Sequence, residues 1–317
     1  MANQRLTNLS ELTTVADDDY VYVIDSSDAT DDPNGSSRKA QAKNVRGWPK
    51  TAAETSAGVS IVSYQYPPGD VRRYGAVGDG ATDDTTAVQN AIDVAEVNSG
   101  HVYFYEGTYL GNWTITAAIT IHATDGVILK GSTAAAVFQC TGDFVNVVGG
   151  LKLDGDTTSA YCWHHDGANN AKIDSLWCTG ATSHGLYIEG VVGDGAYYNS
   201  FYNHVSKSNG GDGEKIYGTA TPAHRANVNK FFGGQVSSNT GDGFDIDTVA
   251  GTAIFGTTIE TYTGYAFKFT DCTKAALTMT GGWIESNTAG GVNIDSTTLM
   301  VQMYGTRFNQ STEFSGA

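Results

Sequence analysis

Two fifteen-residue stretches, GGQVSSNTGDGFDID (residues 233–247) and GGWIESNTAGGVNID (residues 281–295), are identical at eight positions across an offset of forty-eight residues. Between them FGTTIETYTGYAFKF (residues 255–269) is a weaker copy, so the true period is about half that offset. Working outward, short strands align as 160–164, 185–189, 213–217, 243–247, 266–270 and 291–295, in steps of 23 to 30 residues. Each unit offers an alternating strand, a turn-rich stretch, and a second strand ending near Asn209, Asn239 or Asn287. A coil of this size cannot bury its apolar side alone and must stack on its neighbours. The expectation is therefore all-β: a parallel β-helix of eight to ten coils. A leucine-rich horseshoe is disfavoured by scarce leucine, and a propeller needs longer repeats.

The alternation assigns each side chain a face. Tyr161, Leu186, Phe244, Phe267 and Val292, with Trp163, Ile188, Ile216, Ile246, Phe269 and Ile294, are expected inside. Glu214 falls in an inward slot, which predicts a one-residue slip or a bulge there. Two outward ladders follow: Cys162, Tyr187, Lys215, Asp245, Lys268, Asn293, and His164, Glu189, Tyr217, Asp247, Thr270, Asp295.

Composition agrees. Of 317 residues 16% are charged and thirty-nine are glycine, with only five prolines, which excludes collagen, coiled coil and Pro-rich disorder. The net charge of −16 repels phosphate backbones and anionic lipid, so neither nucleic acid nor membrane is an expected partner. The start MANQRLTNLSEL lacks the apolar core of a secretory signal. Cys140, Cys162, Cys178 and Cys272 form no CxxC pair and read as reduced thiols; neither a metal site nor any other cofactor is expected. Residues 1–50 are charge-dense and too small for a core of their own, with one clear strand at 20–24; residues 51–69 suit an extended linker; residues 70–317 carry the repeats.

The stretch DVRRYGAVGDGATDDTTAVQNAIDVAEVNSGHVYFYEGTYL (residues 70–110) resembles the opening motif of the pectate-lyase-like superfamily of right-handed β-helices. The resemblance implies a turn and an α-helix capping the first coil; the residues themselves offer Asp83 or Asp84 as its N-cap and, by three- and four-residue spacing, Ala87, Val88, Ala91, Ile92 and Ala95 as its buried stripe. It says little about chemistry, because that superfamily includes lyases, hydrolases and epimerases. Tyr105-Glu106 stands where members commonly carry prolines. The N-terminal segment, with its L-x-x-L stretch, acidic turn and SRKAQAKNV, is similar to the leading module of bacteriophage tail fibres and tailspikes. That resemblance implies a homotrimeric virion protein, assembled in the host cytoplasm and acting outside the cell. Residues 1–50 would bind a baseplate or tail protein, and the helix would bind and hydrolyse a bacterial surface polysaccharide. A non-catalytic receptor-binding or adaptor protein is the rival. A polysaccharide lyase, with calcium as its cofactor, is another.

Glycoside hydrolysis needs two carboxyls flanking the scissile bond. Asp245 and Asp247 share a strand face about 6.5–7 Å apart, which suits inversion. Glu189 lies two coils from Asp247, and Glu260 and Glu285 occupy equivalent places in successive coils, where like charge should raise one pKa. These five are the candidate catalytic groups. Tyr187, Tyr217, Lys215, Lys268, His164 and Asp295 are the candidate sugar-binding groups, aromatic faces covering C–H surfaces while charged and amide groups meet hydroxyls. His164, His165 and Asp166 alternate in direction and are not expected to share a metal. The three asparagines Asn209, Asn239 and Asn287 are expected to stabilise turns as a ladder.

Overall fold

Each coil of the chain turns three corners, and the strands between corners add to three parallel sheets of nine, ten and nine members. The computed structural model describes residues 20–25, 36–41, 47–191, 195–219, 225–260, 263–273, 275–285, 288–309 and 314–316. The first sheet runs from His101–Phe104 to Leu299–Tyr304, the second from Asp79–Asp83 to Arg307–Asn309, and the third from Trp113–Ile115 to Phe314–Gly316. Among the described residues of the leading segment, Tyr20–Asp25 pairs antiparallel with Ser36–Gln41. Apart from residues 47–50, the rest of the expected attachment module lies outside the described residues, as does Asn287. No described helix is long and apolar enough to cross a membrane.

Parallel register turns the sequence repeat into vertical columns. On the inner side of the third sheet Trp113, Phe138, Trp163, Leu186, Glu214, Phe244, Phe267 and Val292 succeed one another. The aromatic members touch: Phe244 and Phe267 stack at 5.2 Å, and Phe138 lies 5.5 Å from Trp113 and 5.4 Å from Trp163. Ile173, Phe201, Phe231, Ile254 and Met279 form the matching column of the first sheet. Each fully buried side chain of this kind contributes about 1.5–3 kcal/mol relative to exposure. All four cysteines are buried.

Two expectations about register are corrected. Trp163, not Tyr161, is level with Leu186, so His164 sits beside Tyr187 and Asp166 beside Glu189. Cys162 is buried and Tyr161 half-exposed, the reverse of the expected alternation, because the chain is not yet in strand conformation there. The Glu214 slot shows neither slip nor bulge: Leu186, Glu214 and Phe244 are in continuous register and the carboxylate is truly inside. Buried His204 on the second-sheet corner places Nε2 2.7 Å from Glu214 Oε1, supplying the partner that a buried acid requires.

The corners follow from residue type. Between the first and second sheets the turn is two residues long, as in Gly233-Gly234 and Gly281-Gly282, all at positive φ. A Cβ on Gly234 would lie 2.0 Å from the His204 carbonyl oxygen, so only glycine lets successive coils close up. Between the second and third sheets Asn209 and Asn239 stack as expected: Asn209 donates from its backbone N and from Nδ2 to Asn239 Oδ1, each at 2.9 Å. A second ladder at another corner, unforeseen, joins Asn199 Nδ2 to Asn229 Oδ1 at 3.0 Å. The corner after the third sheet varies: ten residues separate Glu189 from Ser200, nine separate Tyr217 from Asn227, and two separate Asp247 from Ala250.

The N-terminal end is closed by helix α2, Thr85–Glu96, whose buried residues are Val88, Ala91, Ile92, Val94 and Ala95. Asp84 precedes it, but its carboxylate accepts from the Val77 and Gly78 amides at 2.7 and 3.1 Å and so shapes the Gly-rich turn; Asp83 accepts from Thr85 N. The expected extended linker contains helix α1, Ala52–Ser56, opened by a capping box between Thr51 and Glu54. Glu54 is fully buried against Arg73, and Arg73 also donates to the carbonyls of Trp48, Pro49 and Tyr66. A buried charge needs these contacts, and they fold the stretch back onto the cap.

Phe244→Ala is expected to lower stability by about 3–5 kcal/mol through the cavity it opens. Asn239→Ala is expected to cost about 1–3 kcal/mol by orphaning the two donors of Asn209. Urea unfolding followed by circular dichroism measures both, and a change below 0.5 kcal/mol in either would contradict the stacking described.

Candidate functional site

The outer side of the third sheet carries the densest polar chemistry, and strand alternation puts it there. Leu186–Glu189, Glu214–Tyr217, Phe244–Asp247 and Tyr265–Thr270 present Tyr187 and Glu189, Lys215 and Tyr217, Asp245 and Asp247, and Lys268 and Thr270 outward in four successive coils. Asp245 lies between two lysines: its Oδ2 is 2.6 Å from Lys215 Nζ and 3.5 Å from Lys268 Nζ. Lys215 also reaches to 3.8 Å from Asp247 Oδ2. Asp245 is only 7% exposed, and its Oδ1 finds no hydrogen-bond partner among the described residues.

Two further carboxyls join from the preceding corner. Asp212 and Asp242 occupy the same place in successive coils, and the Asp242 amide donates to Asp212 Oδ1 at 2.7 Å, as the Tyr265 amide does to Asp242 Oδ1. One carboxylate oxygen from each of Asp212, Asp242 and Asp245 lies within 4.8 Å of the others. Their environments push protonation apart. Burial, reinforced by the negative charges of Asp212 and Asp245, raises the Asp242 pKa against the pull of the Tyr265 amide and Lys268. Burial acts on Asp212 too, but contact with His184, 3.1 Å from Oδ2, and the Asp242 amide outweigh it and hold the pKa below the usual range. Lys268 is raised: burial opposes its charge, but Asp245, Asp242 and Asp212 prevail.

Next to this cluster stand four rings. Tyr161 and His184 are parallel at 5.7 Å, His164 and Tyr187 at 4.8 Å, and Tyr161 lies 5.0 Å from Tyr187. His164 Nε2 is 3.1 Å from Glu189 Oε2, and burial together with Glu189 raises the Tyr187 phenol. Asp166 accepts from Gln139 at 2.9 Å. His165 points inward, as alternation requires, while His164, Asp166 and Glu189 bring donor atoms within 4.8 Å of one another. Two donor sets are thus spaced for a cation, this one and Asp212, Asp242 and Asp245. The second already has two ammonium groups beside it.

Of the residues singled out from sequence, the structure brings together Lys215, Lys268, Asp245 and Asp247, with Tyr217 level with Asp247, and His164, Tyr187 and Glu189 one to two coils away. It keeps three apart. Glu260 and Glu285 are adjacent on the second sheet, where Gln235 donates to the first and Asn309 to the second. At Glu285 the shift runs opposite to the expected one: the Asn309 amide, then Trp283, lower its pKa and outweigh burial. Asp295 closes a turn, accepting from the Asp271 and Thr298 amides and the Thr297 hydroxyl; these bonds outweigh burial and bring it to about 2. Asp212, Asp242, His184 and Tyr161 were missed. The signal for the two acids was present, since GDG recurs at 211–213 and 241–243 across one coil step of 30 residues.

The model of the family described as rhamnogalacturonase A/epimerase, pectate lyase-like, matches residues 70–286. Among curated proteins, plasmin and fibronectin-binding protein A of Streptococcus pneumoniae strain R6 is 60% identical over 42 residues, covering 13% of this chain and 6% of that protein. Among solved structures, bacteriophage phi29 gene product 12 in its pre-mature form is 14% identical with a TM-score of 0.52, over 71% of this chain and 36% of that one. A 1,3-alpha-1,4-beta-D-galactose-4-sulfate-3,6-anhydro-D-galactose-2-sulfate 4 galactohydrolase is 15% identical with a TM-score of 0.54, over 78% and 62%. PfbA, a surface adhesin of Streptococcus pneumoniae, is 12% identical with a TM-score of 0.50, over 78% and 90%. The chain therefore spans about a third of the phage protein and a small fraction of the curated one, and at these identities the structural likeness is one of fold. With more than half of its length under the family model and three in-register parallel sheets beneath it, this chain belongs to the rhamnogalacturonase A/epimerase, pectate lyase-like family.

Proposed function

We propose that the outer face of the third sheet binds a bacterial surface polysaccharide and hydrolyses it, and that the protein acts as a homotrimeric tail protein of a phage virion. The observation that carries the hydrolytic reading is the pair Asp242 and Asp212, neighbouring carboxyls whose surroundings favour protonation of one and ionisation of the other. Asp242 is the proton donor to the glycosidic oxygen, and Asp212, held ionised beside His184, is the second carboxylate. Separation within 4.8 Å is near the roughly 5–5.5 Å of retaining enzymes. That replaces the inverting geometry expected from Asp245 and Asp247. Asp245 instead fixes Lys215 and Lys268, whose free donors address sugar hydroxyls or acidic substituents. Tyr161 and Tyr187 offer ring surface to an adjoining sugar. The virion location is supported by the resemblance of residues 1–50 to phage tail modules and by a phage protein of similar fold.

A binding-only reading has one observation behind it. Asp212 and Asp242 each spend an oxygen on the amide of the next coil, which is a ladder role needing no catalysis. A calcium-dependent lyase would use the same three carboxylates as cation ligands and a lysine as base.

Incubation with host capsule or O-antigen separates these. Hydrolysis yields new reducing ends with retained anomeric configuration by NMR; a lyase yields unsaturated-uronate absorbance that a chelator abolishes; binding without new ends decides for the adaptor. Asp242→Asn is expected to lower kcat by a factor of about 10²–10⁴ while polysaccharide binding persists.

The kcat profile against pH is expected to be bell-shaped. The acid limb follows ionisation of Asp212 below the ordinary carboxylate range, and the alkaline limb follows proton loss from Asp242 above it. Asp212→Asn should remove most activity at every pH, and an alkaline limb unchanged in residual Asp242→Asn activity would overturn the assignment of the acid.

A further inference from the structure

A row of rings on the outer side of the first sheet is interrupted, and the interruption is a depression. One position in each coil reads Tyr103, His122, Val148, Asp174, Tyr202, Phe232 and Phe255 in succession. Tyr103 and His122 stack at 4.9 Å and 14°. Tyr202, Phe232 and Phe255 form a second stack, at 4.9 Å and 9° and then 5.0 Å and 8°. These spacings match the step between coils, so the ring planes stand across the solenoid axis. Inside a stack each face is covered by the next ring. At the interruption two faces are left over, one of His122 toward Val148 and one of Tyr202 toward Asp174. Three coil steps of about 4.8 Å put these faces roughly 14 Å apart, with two short side chains as the floor between them.

The gap is open and chemically mixed. Val148 is 48% exposed and Tyr202 38%. Thr120, Asn146 and Lys172 run alongside at the neighbouring outward position, and with Val148, Asp174 and Tyr202 they line a depression of about 490 Å³. A hollow of about 190 Å³ adjoins it where Val148 meets His122 and Tyr103. Lys172 is exposed, and its ammonium has no partner among the described residues. Ser175 Oγ donates to Asp174 Oδ1 at 3.0 Å and steadies the carboxylate at the floor. A pyranose presents a C–H face to an aromatic ring and a rim of hydroxyls to hydrogen-bonding groups, which is the chemistry assembled here. A protein partner asks for a broad apolar core, whereas the apolar side chain between these rings is a single valine.

We infer that this gap is a second glycan-binding site, separate from the polar face of the third sheet, with sugar C–H faces laid against Tyr202 and His122 and hydroxyls or acidic substituents meeting Lys172, Asn146 and Asp174. The inference rests on the reading that the protein binds a bacterial surface polysaccharide, and it uses none of the proposed catalytic groups. A polymer held here stays close to the third sheet, which raises its effective concentration there.

Binding of host capsule or O-antigen polysaccharide to the full chain tests it, with Asp242→Asn as the parent so that the polymer stays whole. Tyr202→Ala is expected to weaken binding by a factor of about 3–10, the worth of one ring face, and Tyr202→Trp to restore it. Lys172→Ala, which removes an exposed side chain with no protein partner, is expected to weaken binding as well and decides the matter should Tyr202→Ala fail to fold. In Tyr202→Trp the polysaccharide is expected to change tryptophan emission beyond the change seen in the parent, because the new ring lies against the sugar. Parent-like affinity in the folded variants, without that added change in emission, would overturn this site and leave the third-sheet reading standing. Absence of any binding by the parent and by the unmodified protein would overturn both.

Discussion

Vertical register between coils is the constraint from which the rest of the molecule follows. Backbone amides bond to the coil above, so a side chain's face is fixed by its parity along a strand, and its neighbours by residues 23 to 30 positions away. The inward columns supply the hydrophobic energy and the asparagine ladders hold the corners to the same spacing. Because like stacks on like, one position that accepts an aspartate tends to bring a second within a few ångströms. Asp212 over Asp242 is the case on which the proposed hydrolysis rests. At this ladder position the two carboxyls are displaced in opposite directions: burial and two neighbouring acids outweigh the Tyr265 amide and Lys268 at Asp242, whereas His184 and the Asp242 amide outweigh burial at Asp212.

The architecture was legible in the sequence because the repeat encodes it directly. Identity at Gly233-Gly234 and Gly281-Gly282 marks a corner where a Cβ at Gly234 or Gly282 would collide with the backbone of the neighbouring coil, and the alternating FDID and FKFT strands mark inside and outside. The capping helix was legible through its three- and four-residue apolar spacing. What escaped were places where a tertiary partner overrides the local pattern. Glu214 looked like an error of alignment because nothing near it in sequence announces His204 as its counter-ion. Residues 51–69 looked like an extended tether because Arg73, which gathers them, lies outside the stretch. Tyr161 and Cys162 were placed on the wrong sides because the strand begins two residues later than the pattern suggested.

The site was half legible. Residues on strands were placed correctly by parity, so Lys215, Asp245 and Lys268 met as expected in adjoining coils. Residues on corners obey no such rule, and the two acids with displaced pKa values, Asp212 and Asp242, sit on one. Hydrogen-bond partners were invisible as well. Glu260 and Glu285 do stack, yet each accepts a side-chain amide, of Gln235 and Asn309 respectively, that nothing in the repeat announces.

The uneven corner that follows the third sheet has its own consequence. Two of the three corners hold nearly constant length across the middle coils, while this one ranges from two residues to ten. Insertions are absorbed there because both flanking strands are already pinned by the coils on either side, and lengthening a surface excursion costs little entropy. That corner is a place where the chain can change length from one variant to the next while the stacked strands stay the same. Exchange of these segments is the change the fold would tolerate with least disturbance to its stacked strands.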